Sequence, residues 1–250
     1  MSLLRGQGVT KIFGGLVALS DVDFEIREGE IVGLIGQNGA GKTTLINTIT
    51  GVYKPDRGSI TFDSRELTRL SPDRITKLGI TRTFQIPQPF PTLSALENVV
   101  VGLVFGRKAC GLDDAEARAR TILEVVGLSG KAGLLPQSLS IAELRKLELA
   151  RALASGARLL LLDEINAGLT SLEMTEAIGL IEKLRGAGLT ILMVEHVMRI
   201  IMRVCERIIV LHFGKKIAEG TPREIAGDPE VIKAYLGERR GVRGADGAGR

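Results

Sequence analysis

The sequence has few features of a secreted or membrane-spanning protein. Its two cysteines, Cys110 and Cys205, are too few for a disulfide framework and suit a reducing cytoplasm. No apolar run approaches the roughly 20 residues that span a bilayer; the longest candidate, Val99 to Gly106, ends at Arg107. The first residues, MSLLRGQGVTK, lack the apolar core of a signal peptide. We therefore expect that another chain supplies any membrane span.

The sequence also lacks a basic stripe for nucleic acid. The formal net charge of the 250-residue chain is +4, and half of this excess lies in the Gly- and Arg-rich end, residues 238–250. That end has the composition of a flexible tail. No concentrated phosphate-binding stripe remains elsewhere, so the charge gives no reason to expect DNA or RNA as a partner. The remaining composition, 44% hydrophobic and 25% charged, is globular.

Two strand patterns predict an α/β fold. The first 30 residues and segment 58–62 alternate apolar and polar positions, as half-buried antiparallel strands do. Continuous apolar runs are typical of strands covered on both faces, as in a parallel sheet flanked by helices. Four such runs occur: Ile31–Ile35, Leu159–Leu162, Thr190–Val194 and Ile208–Leu211.

The middle of the chain, about residues 86–154, is predicted to be mostly helical. Apolar residues repeat at helical spacing in segment 113–127, and again further on in segment 173–185. The middle segment interrupts the alternation of strands and helices, which indicates a helical subdomain inserted into the α/β core. We expect one domain over residues 1–237, followed by the tail, with no internal repeat and no heptad run.

The most specific motif is G-x-x-x-x-G-K-[ST], which residues 36–43, GQNGAGKT, match completely. An apolar strand precedes it and a helical segment, 42–50, follows, which disfavours the alternative of a Gly-rich turn with a surface lysine. The glycines let successive backbone N–H groups point at phosphate oxygens. Lys42 would neutralise phosphate charge and Thr43 would ligate Mg²⁺. The predicted nucleotide-binding residues are Gly36, Gln37, Asn38, Gly39, Ala40, Gly41, Lys42, Thr43 and Thr44.

Acidic residues follow the second continuous run, LLLLDE. Asp163 and Glu164 would lie at the carboxyl edge of the sheet, where ligands of open α/β sheets bind. Asp163 would hold Mg²⁺ through water, and Glu164 would polarise the attacking water. The next run ends in Glu195-His196, and His196 would help to fix base and water. The alternatives are acids that merely face solvent and a structural histidine.

Residues 139–153, LSIAELRKLELARAL, resemble the signature of ABC ATPases, which is commonly LSGGQ followed by a helix with an ARAL-like end. Gln85 in RTFQ resembles the glutamine loop of that family, and residues 167–169 fall where its D-loop follows the acidic pair. Phe13 in KIFGG has the position of the aromatic residue that stacks on adenine. The resemblance covers about residues 3–237.

The resemblance implies a P-loop NTPase (RecA-like) core, ATP and Mg²⁺ as ligands, and a sandwich of two ATPase chains around two nucleotides. Ser140 and Ala142 would contact the nucleotide of the second chain. Lys42, Gln85, Glu164 and His196 would take part in hydrolysis, and Thr43, Gln85 and Asp163 would hold the metal. Phe13 could instead be a core aromatic residue, and Gln85 an ordinary loop residue.

The signature departs from the common pattern. Ser140 and Glu143 form the spacing of a capping box, so Ser140 could serve only as a helix cap. Ile141 and Ala142 stand where small residues or glycine are usual, and the Ala142 methyl adds bulk where backbone approaches phosphate. Thr170-Ser171 replaces an acidic or amide residue followed by proline, and Val197 stands where Asp is frequent. Because no charged site residue is lost, we expect an active ATPase.

Segments 82–102 and 193–222 look most like importer ATPases for branched-chain amino acids. Lipopolysaccharide-export and urea or amide transport ATPases share much of this pattern. The resemblance implies a pair of membrane permease subunits, an external substrate-binding protein and a second ATPase subunit, identical or a sister chain. It places the chain in the cytoplasm, peripheral on the inner face of the membrane. Phe90, between prolines, would be a permease contact or a buried loop residue.

Two other classes compete with the transporter. ATPases of DNA repair or translation typically have coiled-coil arms or a duplicated domain, and neither is visible in the sequence. A low-turnover regulatory module that binds ATP as a switch is compatible with the altered signature and D-loop.

Overall fold

A computed structural model describes residues 2–163, 170–195 and 197–236, which form two β-sheets with helices around them. The strands are β1 (Ser2–Phe13), β2 (Leu16–Arg27), β3 (Ile31–Ile35), β4 (Arg57–Phe62), β5 (Arg65–Glu66), β6 (Ile80–Arg82), β7 (Leu159–Asp163), β8 (Thr190–Val194), β9 (Arg207–His212) and β10 (Lys215–Gly220). The α-helices are α1 (Lys42–Ile49), α2 (Pro72–Leu78), α3 (Ala95–Phe105), α4 (Leu112–Val125), α5 (Ile141–Ala154), α6 (Ser171–Gly186), α7 (Met198–Val204), α8 (Pro222–Gly227) and α9 (Pro229–Leu236).

The smaller sheet is antiparallel and has the strand order β2-β1-β4-β5. Buried and more exposed positions largely alternate along β1, because one face of this sheet packs on the core and the other faces solvent. The alternating patterns in the first 30 residues and in segment 58–62 therefore predicted β1, β2 and β4 correctly, whereas the two-residue β5 was not predicted.

The larger sheet has the order β10-β9-β3-β8-β7-β6, and all neighbouring pairs except β9 with β10 are parallel. The four continuous apolar runs form β3, β7, β8 and β9, as predicted. The two edge strands were not predicted. β6 has only three residues, and β10 is largely half-buried or exposed, so neither shows a clear periodic pattern.

Each central strand alternates between two separate cores, which explains why its sequence is apolar throughout. Leu159 and Leu161 of β7 pack in a cluster with Phe62 of the antiparallel sheet and Leu45 of α1. Leu160 and Leu162 pack in the other cluster, with residues of α3 to α7. The parallel sheet is thus covered on both faces, one by the antiparallel sheet and α1, the other by helices.

The helices α3, α4 and α5 occupy most of the segment that was predicted to be helical, and they pack on one another. A capping box begins α5, where the Ser140 hydroxyl accepts from the Glu143 N–H and the Glu143 carboxylate accepts from the Ser140 N–H. The predicted α/β class, with an N-terminal antiparallel part and inserted helices, is confirmed; the residue at which each subdomain begins stays a prediction.

None of the helices in the described ranges has the length and apolar character needed to cross a membrane.

Candidate active site

The predicted phosphate loop and the predicted metal carboxylate lie at the same edge of the parallel sheet. Residues 36–41 connect the carboxyl end of β3 to α1, and Asp163 is the last residue of β7. β8 lies between β3 and β7 in the sheet. Parallel strands end at a common edge, which is where open α/β sheets bind their ligands.

Two glycines of the loop stand where no other residue fits. Gly41 has φ 103°, and a Cβ atom there would lie 2.7 Å from the Ala18 carbonyl oxygen. Gly36 has φ 155°, and its Cβ would lie 2.3 Å from the Leu211 carbonyl oxygen. Glycine therefore allows the loop to pass close to β2 and β9 while its amides precede the N-terminus of α1.

Lys42 is held inside the loop that precedes it. Its side chain is almost fully buried, at 7% exposure, and its Nζ donates to the carbonyl oxygens of Gly36 (2.7 Å) and Gln37 (3.1 Å). An ammonium group fixed at the centre of a glycine loop and at a helix N-terminus is an arrangement suited to anionic phosphate.

One open cleft brings together most of the predicted nucleotide-binding residues. Phe13 stands at its rim, 39% exposed, with its ring edge-on to Tyr53 at a centroid distance of 5.0 Å, so it is not a core aromatic residue. The cleft also has an apolar wall that was not predicted, which includes the exposed Phe213. The residues that line it are Phe13, Leu16, Val17, Ala18, Asn38, Gly39, Ala40, Gly41, Lys42, Thr43, Thr44, Gln85 and Phe213.

Gln37, although predicted as a nucleotide-binding residue, directs its side chain elsewhere. Its Nε2 donates to the Ala234 carbonyl oxygen of α9, and its side chain lines a neighbouring cavity. Only the backbone of Gln37, and not its side chain, therefore faces the phosphate site.

Asp163 is buried, at 8% exposure, and lies beside an arginine from the next strand. Arg82 Nη2 of β6 is 3.7 Å from Asp163 Oδ2, and Arg82 Nη1 donates to Asn47 Oδ1 of α1 at 2.5 Å. Burial lowers the pKa of Arg82, while the carboxylates of Asp163 and Glu148 act in the opposite direction. Arg82 thus connects the predicted metal carboxylate to the helix that follows the phosphate loop.

Ser140 lies outside the cleft, at the exposed N-terminus of α5. Lys131 forms an ion pair with Glu143. The Lys131 ammonium group and the Ser140 N–H together keep the pKa of the Glu143 carboxyl below its usual range. Ala142 lines a cavity between α5 and α6 instead of the phosphate cleft. The chain therefore presents its signature residues away from its own phosphate loop.

Glu164, His196 and the D-loop at 167–169 lie outside the described residues, so their predicted roles stay predictions.

The residues present fit a magnesium nucleotide. Glycine at positions 36 and 41 lets the loop lie against β9 and β2, where a Cβ atom would clash, and the loop surrounds the ammonium group of Lys42. Thr43, Gln85 and Asp163 offer hydroxyl, amide and carboxylate oxygens, the hard donors that Mg²⁺ prefers. Their individual roles remain predictions.

A buried carboxyl group that was not predicted lies next to this site. Glu148 of α5 is 7% exposed, and its Oε1 accepts from the Phe84 N–H at 2.9 Å. Burial raises the pKa of Glu148 to about 7, against the opposing effect of the Phe84 N–H and of Arg151, Arg145 and Arg82. The signal in the sequence was a single acid within the apolar part of LRKLELARAL.

We expect Glu148→Gln to stabilise the protein above pH 7 and to have little effect near pH 4. The folded carboxyl binds its proton more tightly than the unfolded one, whose pKa is 4.5. Stability is therefore lost as pH rises from the unfolded to the folded pKa, by about 3 kcal/mol in all. Urea unfolding of both proteins at several pH values measures the difference; a difference that does not change with pH would contradict the assignment.

Comparison with known proteins identifies this architecture. Residues 19–167 match the family model described as ABC transporter, and residues 215–240 match the one described as branched-chain amino acid ATP-binding cassette transporter. The high-affinity branched-chain amino acid transport ATP-binding protein LivG of Salmonella typhimurium is 42% identical over 94% of this chain and 98% of its own. The lipopolysaccharide export system ATP-binding protein LptB of Acidithiobacillus ferridurans is 36% identical over 95% and 98%.

Solved structures of ATP-binding cassettes have the same fold as this chain. An ATP-binding cassette of an ABC transporter in its ADP conformation has a TM-score of 0.85 and 30% identity, over 95% of this chain and all of the other. A dimeric ATP-binding cassette bound to ADP and Pi has a TM-score of 0.79 and 32% identity, over 88% and 99%. The family match covers more than half of the chain, so this protein belongs to the ATP-hydrolysing, nucleotide-binding subunits of ABC transporters.

Proposed function

We propose that this chain is the ATPase subunit that powers an importer of branched-chain amino acids. The observation that carries the substrate class is the separate match of residues 215–240 to the branched-chain model, beyond the segment matched by the general transporter model. The higher identity to LivG than to LptB points the same way.

The phosphate loop is proposed to hold ATP through its backbone amides and Lys42, with Phe13 against the adenine at the rim of the cleft. Thr43, Gln85 and Asp163 would hold Mg²⁺, and bound Mg²⁺ would neutralise charge on the β- and γ-phosphate oxygens. Glu164 would accept a proton from the attacking water, and His196 would orient it. Lys42 would leave its two loop carbonyls to meet the phosphates.

A second ATPase subunit is proposed to complete each site. The exposed N-terminus of α5 carries Ser140 and Ile141, the latter 61% exposed, and cannot serve its own phosphate loop from its place outside the cleft. A helix N-terminus attracts anions, so it would bind the γ-phosphate held by the partner chain. The partner would be a second copy or a sister ATPase.

The permease is proposed to dock where the glutamine loop meets α3 and α5. Phe84, Phe90 and Phe105 line one groove there and are 42%, 41% and 73% exposed. Asn98, fully buried, donates to the Phe90 carbonyl oxygen and accepts from the Phe90 N–H, which fixes the Pro-rich loop. The chain would then work on the inner face of the membrane, with an external binding protein that delivers the substrate.

Uptake of labelled leucine by the source cells tests the substrate class. Replacing the chromosomal copy by the Lys42→Ala form should reduce high-affinity leucine uptake to background, because the permease loses its ATPase. Lys77→Ala, on α2, is the matched control and should leave uptake intact. Unchanged leucine uptake in the Lys42→Ala cells would reject the amino-acid assignment, and parallel assays of urea uptake and lipopolysaccharide export would identify the alternative.

A further inference from the structure

The loop that carries Gln85 begins where the parallel sheet ends. Thr83 still pairs with β7: its N–H donates to the Leu161 carbonyl oxygen at 2.9 Å, and its Oγ1 accepts from the Asp163 N–H at 3.3 Å. The next residue, Phe84, donates its N–H to the Glu148 carboxylate instead. The chain therefore leaves the sheet at Phe84, and a side chain of α5 takes the hydrogen bond that the strand no longer makes.

The same face of α5 holds the far end of this loop. Arg151 lies three residues after Glu148, so both side chains project from one side of the helix. Arg151 Nη1 donates to the Gln88 carbonyl oxygen at 2.6 Å, and its guanidinium lies 4.8 Å from the centre of the Phe90 ring. Gln85 therefore lies between Phe84 and Gln88, the two residues whose backbone groups form hydrogen bonds with side chains of α5.

Arg82 fixes the other side of the Phe84 turn. Its guanidinium lies 4.5 Å from the centre of the Phe84 ring, while its nitrogens reach Asn47 and Asp163. Phe84 is therefore held from α5 through its backbone and from the phosphate-loop side through its ring.

Besides this hydrogen bond, the Glu148 carboxylate interacts electrostatically with Arg82 and Arg151, which both contact the loop that carries Gln85. Glu148 lies in the middle of α5 among Leu147, Leu149 and Ala150, all buried, where an apolar side chain would avoid the cost of burying an acid. Its hydrogen bond with Phe84 joins two elements that are 64 residues apart in the chain.

We propose that Glu148 is a positioning residue for Gln85, which it holds at the phosphate cleft by anchoring the Phe84 N–H to the signature helix. Because Ser140 caps the N-terminus of α5, any movement of that helix when the partner chain engages this N-terminus is transmitted to Gln85 through this hydrogen bond. The inference rests on the proposed function, in which Gln85 serves hydrolysis and Ser140 meets the partner's nucleotide.

Hydrogen exchange of the nucleotide-free full-length chain tests the anchor without ATP. Glu148→Asp withdraws the acceptor by one methylene and keeps a carboxyl group, so exchange of the Phe84 amide should accelerate. Glu148→Gln keeps an oxygen at the same reach, and exchange should stay slow. Glu116→Gln, at an exposed site on α4, is the matched control. Equal exchange of the Phe84 amide in wild type and Glu148→Asp would overturn the anchor.

Steady-state ATP hydrolysis tests whether the anchor acts through Gln85. Glu148→Asp should lower kcat about tenfold, because a displacement near 1 Å at a reacting group costs that much or more. The KM for ATP should stay within about twofold, and Glu148→Gln should restore most of the turnover. In a Gln85→Ala background, Glu148→Asp should change kcat by less than about twofold, since the two residues act as one unit.

Equal losses of kcat from Glu148→Asp in both backgrounds, or no loss in either, would overturn the positioning role. Absence of ATP hydrolysis by the wild-type chain, alone and with its permease, would instead contradict the proposed function. The two failures are therefore distinguishable. Glu148→Asp keeps a carboxyl group at this buried position and shortens the side chain by only one methylene, so the variant is expected to fold.

Discussion

Lys42→Ala is expected to lower ATP hydrolysis by a factor on the order of 10³, the size of effect seen when a fixed donor to a transition-state oxyanion is removed. Lys42 Nζ is buried within the loop and already held at 2.7 Å from the Gly36 carbonyl oxygen. It already lies at the centre of the loop, and it would exchange these carbonyl oxygens for phosphate oxygens when the nucleotide binds. No other lysine or arginine lines the cleft among the described residues.

The measurement is phosphate release by the purified chain, together with binding of a fluorescent ATP analogue. Lys77→Ala removes an exposed lysine from the last turn of α2 and serves as the control. Lys42→Arg should also be inactive, because a planar guanidinium is wider than an ammonium group. Turnover within about twofold of wild type in Lys42→Ala would remove Lys42 from the phosphate site.

The parallel core was predictable because its physics is local in sequence. A strand with both faces covered has no polar position, so Leu159–Leu162 could be recognised without its neighbours. Phosphate binding is similarly local, since the glycine spacing, the strand before it and the helix after it all lie within about 20 consecutive residues.

The strands at the sheet edges were not predictable for the opposite reason. β6 is three residues long, and its place in the sheet depends on pairing with β7, almost 80 residues later. The side chain of Gln37 likewise lies toward Ala234, 197 residues away, so its position could not be read from the loop motif.

The contacts around Phe84 were also not predictable from the sequence. RTFQ indicated Gln85 but gave no reason to connect Arg82 with Asn47 or Phe84 with Glu148, since these contacts form only when α1, β6 and α5 converge. A charged residue in a strand and a single acid in an apolar helix were the available signals. Both mark a buried polar group that needs a partner, without naming the partner.

Glu164→Gln is expected to reduce turnover by a factor on the order of 10²–10⁴, the usual contribution of a general base. ATP should still bind, because the substitution leaves the phosphate loop and Asp163 unchanged. With hydrolysis blocked, the ATP-bound sandwich should accumulate, so the variant should elute as a dimer in Mg²⁺-ATP when followed by light scattering. Glu182→Gln, at an exposed position of α6, is the control and should hydrolyse ATP normally.

Adding Ser140→Arg to Glu164→Gln should abolish the trapped dimer. A long side chain at the exposed N-terminus of α5 would occupy the space of the partner's γ-phosphate and would remove the capping hydroxyl that Glu143 N–H uses. ATP binding to each separate chain should persist, because Ser140 lies outside the phosphate cleft of its own chain. If Glu164→Gln binds ATP and stays monomeric, the departures at Ile141 and Ala142 require a sister chain with a different signature; if the double variant still dimerises, the interface does not use α5.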